Sequence, residues 1–99
     1  ENIMAKKPET LLSEKVLSRL RAEGGWWMKV HGGLFQAAGI PDIIGCWHGR
    51  FIAIELKMPG ETPTRLQALT LDALKQAGAR TGVAYSVKEA LDIRDENIC

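Results

Sequence analysis

Only two cysteines occur in the 99 residues, Cys46 inside an apolar segment and Cys99 at the very end, and they share none of the close spacings by which thiolates hold zinc. A disulfide-stapled scaffold and a zinc-centred one are both excluded, and the two thiols read as free. No apolar run approaches the roughly 18–20 residues that span a bilayer, and the N-terminus has no apolar core of a signal peptide. The expected compartment is cytoplasmic. Neither sign of charge dominates: 13 Lys and Arg against 12 Asp and Glu leave a formal charge of +1. That balance neither demands nor excludes a polyanionic partner, so any affinity for nucleic acid must come from local patches and bound metal. Internal repeats, low-complexity tracts and linkers are absent too.

What is present is an ordinary globular balance, 45% hydrophobic and 25% charged, in a length that accommodates one core and no second. Met4-Ala5-Lys6-Lys7 reads as a natural start, which makes residues 4–99 a single domain and leaves Glu1 to Ile3 as a remnant outside it. Leu12, Val16 and Leu20 recur at helical spacing between about Thr10 and Glu23, and Gly24-Gly25 ends the pattern. Trp26 to Val30 reads as a short strand that runs into a glycine-containing loop extending to about Pro41. Two further strands, Asp42 to Trp47 and Arg50 to Lys57, flank His48-Gly49 and should form an antiparallel hairpin. Thr62 is the expected cap of a second helix, with Pro63 in its first position, Leu66, Leu69, Ala73 and Ala77 as its apolar stripe, and Gly78 at its end. Thr81 to Val87 reads as a last strand, and a weak terminal helix follows near Lys88 to Ile93. The expected class is α/β in the order helix, three strands, helix, strand.

The turn fixes the hairpin register. With His48 and Gly49 as a two-residue loop, Trp47 faces Arg50, and stepping back along one strand and forward along the other brings Asp42 opposite Glu55; a three- or five-residue loop would shift that pairing. Directly opposed residues have Cβ atoms about 4.5–5.5 Å apart, where like charges destabilise. Two carboxylates so placed need a cation. Strand alternation puts Glu55 and Lys57 on one face, while Ile52, Ile54 and Leu56 point to the other. Read alone, Glu-x-Lys is more often a solvated strand face; the register sets this one apart. Asp42, Glu55 and the Leu56 backbone carbonyl would suit a hard ion such as Mg²⁺, with Lys57 beside it to hold or deprotonate a water and to stabilise developing charge.

Gly39-Ile40-Pro41-Asp42, then Glu55-Leu56-Lys57, then Gln67 in the following helix resembles the VRR-NUC nucleases of the PD-(D/E)xK superfamily, over about Leu11 to Val87. The resemblance implies a restriction-endonuclease-like core with a mixed central sheet flanked by helices, and a Mg²⁺- or Mn²⁺-dependent DNA endonuclease with Asp42 and Glu55 as metal ligands and Lys57 as the catalytic lysine. It also assigns Glu14 to the acidic residue that these nucleases carry on the first helix near the metal, and Gln67 to their helix-borne glutamine. Glu14 lies at the margin of the apolar stripe. Gln67 shares a face with Thr70, Leu71 and Leu74 and would orient Lys57 or a phosphate. Small stand-alone relatives from phages and bacteria act as dimers on branched DNA such as Holliday junctions, which implies a homodimer in a bacterial cell or phage-infected host. A single-strand or flap nuclease and a catalytically silent DNA-binding module remain open as alternatives.

Trp26 and Trp27 alternate across a strand, so one enters the core and the other faces outward, to a dimer surface or a base. His31 and His48 read as turn residues. Lys29, Arg50 and Arg65, with Gln36 in the flexible loop before Asp42, are candidate DNA contacts; Lys75 and Arg80 are weaker ones.

Overall fold

The computed structural model describes residues 5–31 and 38–96. Its elements run α1 (Pro8–Glu23), β1 (Trp26–Lys29), β2 (Ile43–Trp47), β3 (Arg50–Leu56), α2 (Arg65–Gln76), β4 (Arg80–Ala84) and α3 (Val87–Asp95). Pro8 opens α1, where its missing N–H is one the helix would leave unpaired anyway, and Gly24, at a positive φ, closes it. Ser13, Val16, Leu17 and Leu20 form its buried face.

The sheet has the order β1-β2-β3-β4, antiparallel through β3 and parallel between β3 and β4. The parallel step requires a crossover, and α2 supplies it. Pairing in the hairpin runs from Trp47 opposite Arg50 to Ile43 opposite Ile54, the register expected from a two-residue turn. His48 and Gly49 both have positive φ, as a type I′ turn requires.

Alternation sorts the sheet into two faces. Trp27, Ile43, Ile52, Ile54, Leu56 and Ala84 pack with Val16, Leu17 and Leu20 of α1 and Ala90 of α3 into the core. Trp27 is buried and Trp26 is 59% exposed, so the tryptophan pair divides as its alternation predicts. Gly45 pairs with Trp27, and a Cβ on it would lie 2.3 Å from both the Trp26 carbonyl oxygen and the Trp27 ring. Only glycine lets the indole lie across β2, where its Nε1–H donates to the Gly24 carbonyl at 2.8 Å. The opposite face is covered by α2 over β3 and β4, leaving Trp26, Cys46 and Phe51 exposed on the β1 side.

Two expectations for α2 need correction. Its cap is Thr64, not Thr62: the Thr64 side chain accepts from the Gln67 N–H while Gln67 Oε1 accepts from the Thr64 N–H. Three residues after Thr62 stands Arg65, which cannot close such a box, so Pro63 falls outside the helix. Its inward face is Gln67, Thr70, Leu71 and Leu74, whereas Leu66, Leu69, Ala73 and Ala77 are exposed. Two apolar stripes competed, and the packed one is anchored where the Thr81 hydroxyl donates to the Leu71 carbonyl at 3.1 Å. The last strand ends at Ala84 rather than Val87, because Ser86 caps α3 by accepting from the Glu89 N–H.

Sequence periodicity gave no hint of Arg94. It is buried on α3, pairs with Glu23 of α1 at 2.8 Å and with Asp95, and lies 4.3 Å over the Trp47 ring. One guanidinium thus ties α1, α3 and β2. Cys46 is a free, exposed thiol; Cys99 lies outside the described residues. Among the described residues no helix is long and apolar enough to cross a membrane.

Candidate active site

The β2–β3 pairing ends at Ile43 opposite Ile54, and one residue further along each chain stand Asp42 and Glu55. The backbone holds Asp42 from two sides: its carbonyl accepts from the Val30 N–H at 2.8 Å, and its Oδ2 accepts from the Leu56 N–H at 2.8 Å. Glu55 is the penultimate residue of β3, paired there with Val83 of β4, and is 3% exposed. Lys57 leaves the strand end with its N–H on the Ala84 carbonyl and its Nζ 3.9 Å from Glu55 Oε2. On the other side, Lys29 Nζ lies 3.8 Å from Asp42 Oδ1. Two carboxylates are therefore flanked by two lysines.

They line a cavity of about 260 Å³ closed by Glu9 and Thr10 of α1, Glu61 of the β3–α2 loop and Gln67 of α2. Four acids face two lysines there, an excess of negative charge. Burial is the largest influence on Glu55, and the neighbouring Asp42 carboxylate adds to it; together they push its carboxyl up to about 8 although Lys57 and Lys29 pull the other way. Glu55 Oε1 is buried with no hydrogen-bond partner. A sealed acceptor beside a second carboxylate is what a cation would satisfy, so the residues present fit a hard divalent ion. Among the described residues no three His, Cys, Asp or Glu side chains stand close enough together to hold a metal ion. Asp42 and Glu55 would have to share it with a backbone carbonyl such as that of Leu56 and with water, which suits Mg²⁺, an ion that usually keeps several waters.

The other expected residues are placed as follows. Gln67 lines the cavity with its carbonyl oxygen committed to the Thr64 N–H, which leaves the amide nitrogen for the site. Glu14 does not line it: its carboxylate pairs with Lys6 at 2.8 Å, half-exposed, and borders a neighbouring groove. The α1 acid at the cavity is Glu9, one and a half turns earlier, which sequence reasoning missed although it stands in the first turn of the helix. Glu61 was missed as well; it is fixed by the Met58 N–H on its Oε1 and by the Tyr85 hydroxyl on its carbonyl. Arg50 lies at the far end of β3, with its Nε–H on the Gly78 carbonyl. Arg65 is exposed at the start of α2, and Gln36 lies outside the described residues.

No protein-family model and no curated protein sequence matches this chain. Among solved structures, one described as a VRR_NUC domain aligns with 94% of this chain and 100% of its own, at a TM-score of 0.76 and 20% identity. The fold is that of a VRR_NUC domain. Within it the order is αβββαβα around a mixed four-stranded sheet, the restriction-endonuclease-like architecture. In this VRR_NUC fold the carboxylate cavity sits where β3 leaves the sheet, between the first turns of α1 and α2.

Proposed function

We propose that the protein is a nuclease of the PD-(D/E)xK type, hydrolysing DNA phosphodiester bonds with Mg²⁺ or Mn²⁺, and that it acts as a homodimer on branched DNA such as Holliday junctions. One observation carries the reading: Glu55 is sealed beside Asp42 with an oxygen that no donor reaches. The VRR_NUC fold supports it. Asp42, Glu55 and the Leu56 carbonyl are the residues that would hold the ion; Glu14 stands outside this set. A divalent ion supplies polarisation of the phosphate and a bound water of lowered pKa.

The chain's own groups do the rest. Lys57, 16% exposed and anchored by its backbone to β4, is positioned to hold the attacking water and to stabilise charge on the phosphoryl oxygens. Lys29 meets the substrate from the Asp42 side. Gln67, with only its amide nitrogen available, donates to a phosphate oxygen or to a water. The excess of acid in the cavity keeps a phosphate out until a cation offsets it.

The test is cleavage of a panel of branched, duplex and single-stranded DNA with Mg²⁺ and with Mn²⁺. Branched DNA should be cut, and Asp42→Asn and Glu55→Gln should each abolish cleavage while leaving the fold intact. Full activity in either variant at ordinary Mg²⁺ sinks the assignment; cutting of single strands or flaps alone replaces the junction reading; tight DNA binding without cleavage would mean a silent binding module.

A further inference from the structure

We propose that the groove between α1 and β1 binds a single DNA strand on one side of the scissile bond; the inference rests on the nuclease reading and extends it from the reacting phosphate to the nucleotides beside it. The groove encloses about 510 Å³ and has Thr10 and Lys29 in common with the carboxylate cavity, so the two form one depression. A chain leaving the cavity past Lys29 enters it. The half-exposed Met28 offers apolar surface there, over the buried Leu17, and a thioether adapts to the flat face of any base.

The charge changes along this path. The carboxylate cavity holds four acids against two lysines, whereas the groove presents Lys29, Arg21 and the His31 imidazole against one acid, Glu14, which Lys6 holds at 2.8 Å. A cation-seeking end followed by an anion-seeking channel is the sequence of fields that a metal-bound phosphate and its neighbouring phosphates would need. The channel is also built rather than incidental, because Arg21 Nη2 donates to the Trp27 carbonyl at 3.0 Å and so fixes α1 against the sheet edge. Its volume is that of a small-ligand cleft and its walls are one helix and one edge strand. That space takes one or two nucleotides of a splayed strand, not a duplex, which makes a strand opened at a branch point the feature recognised.

Two measurements test this on the intact protein. In the first, a fluorescent single strand is titrated with Ca²⁺ in place of Mg²⁺, using wild type and the double variant Arg21→Ala/Met28→Glu, neither of whose positions lines the carboxylate cavity. The variant should bind roughly tenfold or more weakly, with a salt slope lower by about one, while its turnover of a substrate trimmed to end at the cut is unchanged. In the second, a benzophenone side chain at Met28 should crosslink to the strand on one side of the cut only. Equal strand binding by a folded variant, no single-strand binding by wild type, or no crosslink at Met28 overturns the proposal. Failure of wild type to cleave any DNA would instead overturn the nuclease reading, and loss of strand binding in the variant would then still support the groove as a nucleic-acid site.

Discussion

A carboxyl group with an oxygen shut away from water and from every donor is stable either protonated or beside a cation. Glu55 is in that position, and its carboxyl is raised from an ordinary value of 4.5 to about 8. Between those two values the folded chain holds a proton that the unfolded chain has released, so unfolding becomes easier as pH rises. The stability Glu55 contributes as a neutral acid is fully present below about 4.5 and is lost as pH passes through 8. Metal-free protein should therefore melt at a lower temperature at pH 8 than at pH 6. Glu55→Gln, whose amide can donate to Asp42, should flatten that dependence and be more stable than wild type at pH 8, on the order of 1 kcal/mol or more. Added Mg²⁺ should raise the melting temperature of wild type at pH 8 and not that of the variant. Equal pH profiles for the two proteins would show that Glu55 is not the buried acid. Lys57 is separable by kinetics: Lys57→Ala leaves both carboxylates in place, and single-turnover cleavage should slow by roughly a hundredfold or more with metal affinity retained. A change in DNA affinity alone would reduce Lys57 to a phosphate contact.

At the scale of elements the hairpin determines the site, and one glycine determines how the hairpin sits. Gly45→Ala would push a methyl group into the Trp26 carbonyl and the Trp27 ring, backbone and core indole that have nowhere to move. The expected loss is about 2 kcal/mol or more by chemical denaturation, with a change in tryptophan emission; a variant as stable as wild type would mean that the indole does not cross β2. The hairpin was also the most legible part of the sequence. His48-Gly49 determined turn type, turn type determined register, and register brought Asp42 to Glu55 with no appeal to distant contacts. Helix α2 was legible in existence but not in face, because Leu66 and Leu69 compete with Leu71 and Leu74 and only the surface of β4 decides between them. Its cap is written in the sequence as Thr64-x-x-Gln67, but Thr62 with Pro63 directly after it offers a competing start. Glu9, Glu61 and Arg94 were beyond reach for a common reason: each acquires its surroundings from segments far along the chain, as when Arg94 meets Glu23 71 residues away, and no local period encodes that.

At the scale of the whole molecule, resolving a four-way junction takes paired cuts on opposing strands, which one cavity cannot make at once. The net charge of +1 is also too small for one copy to hold DNA firmly by electrostatics alone. Two copies related by a two-fold axis would meet both needs. The surface most suited to such contact is the sheet face that α2 leaves uncovered, where Trp26 and Phe51 are each more than 40% exposed and Trp26, Cys46 and Phe51 face one another across three strands. A tryptophan at the centre of an apolar patch is a favoured anchor for protein association. Sedimentation at micromolar concentration should find a dimer. Trp26→Glu/Phe51→Glu should give a folded monomer, because neither side chain belongs to the core, and that monomer should nick junction DNA once instead of cutting it in pairs. A wild-type chain that sediments as a strict monomer, both free and bound to junction DNA, would remove the dimeric-resolvase reading and favour that of a flap or single-strand nuclease.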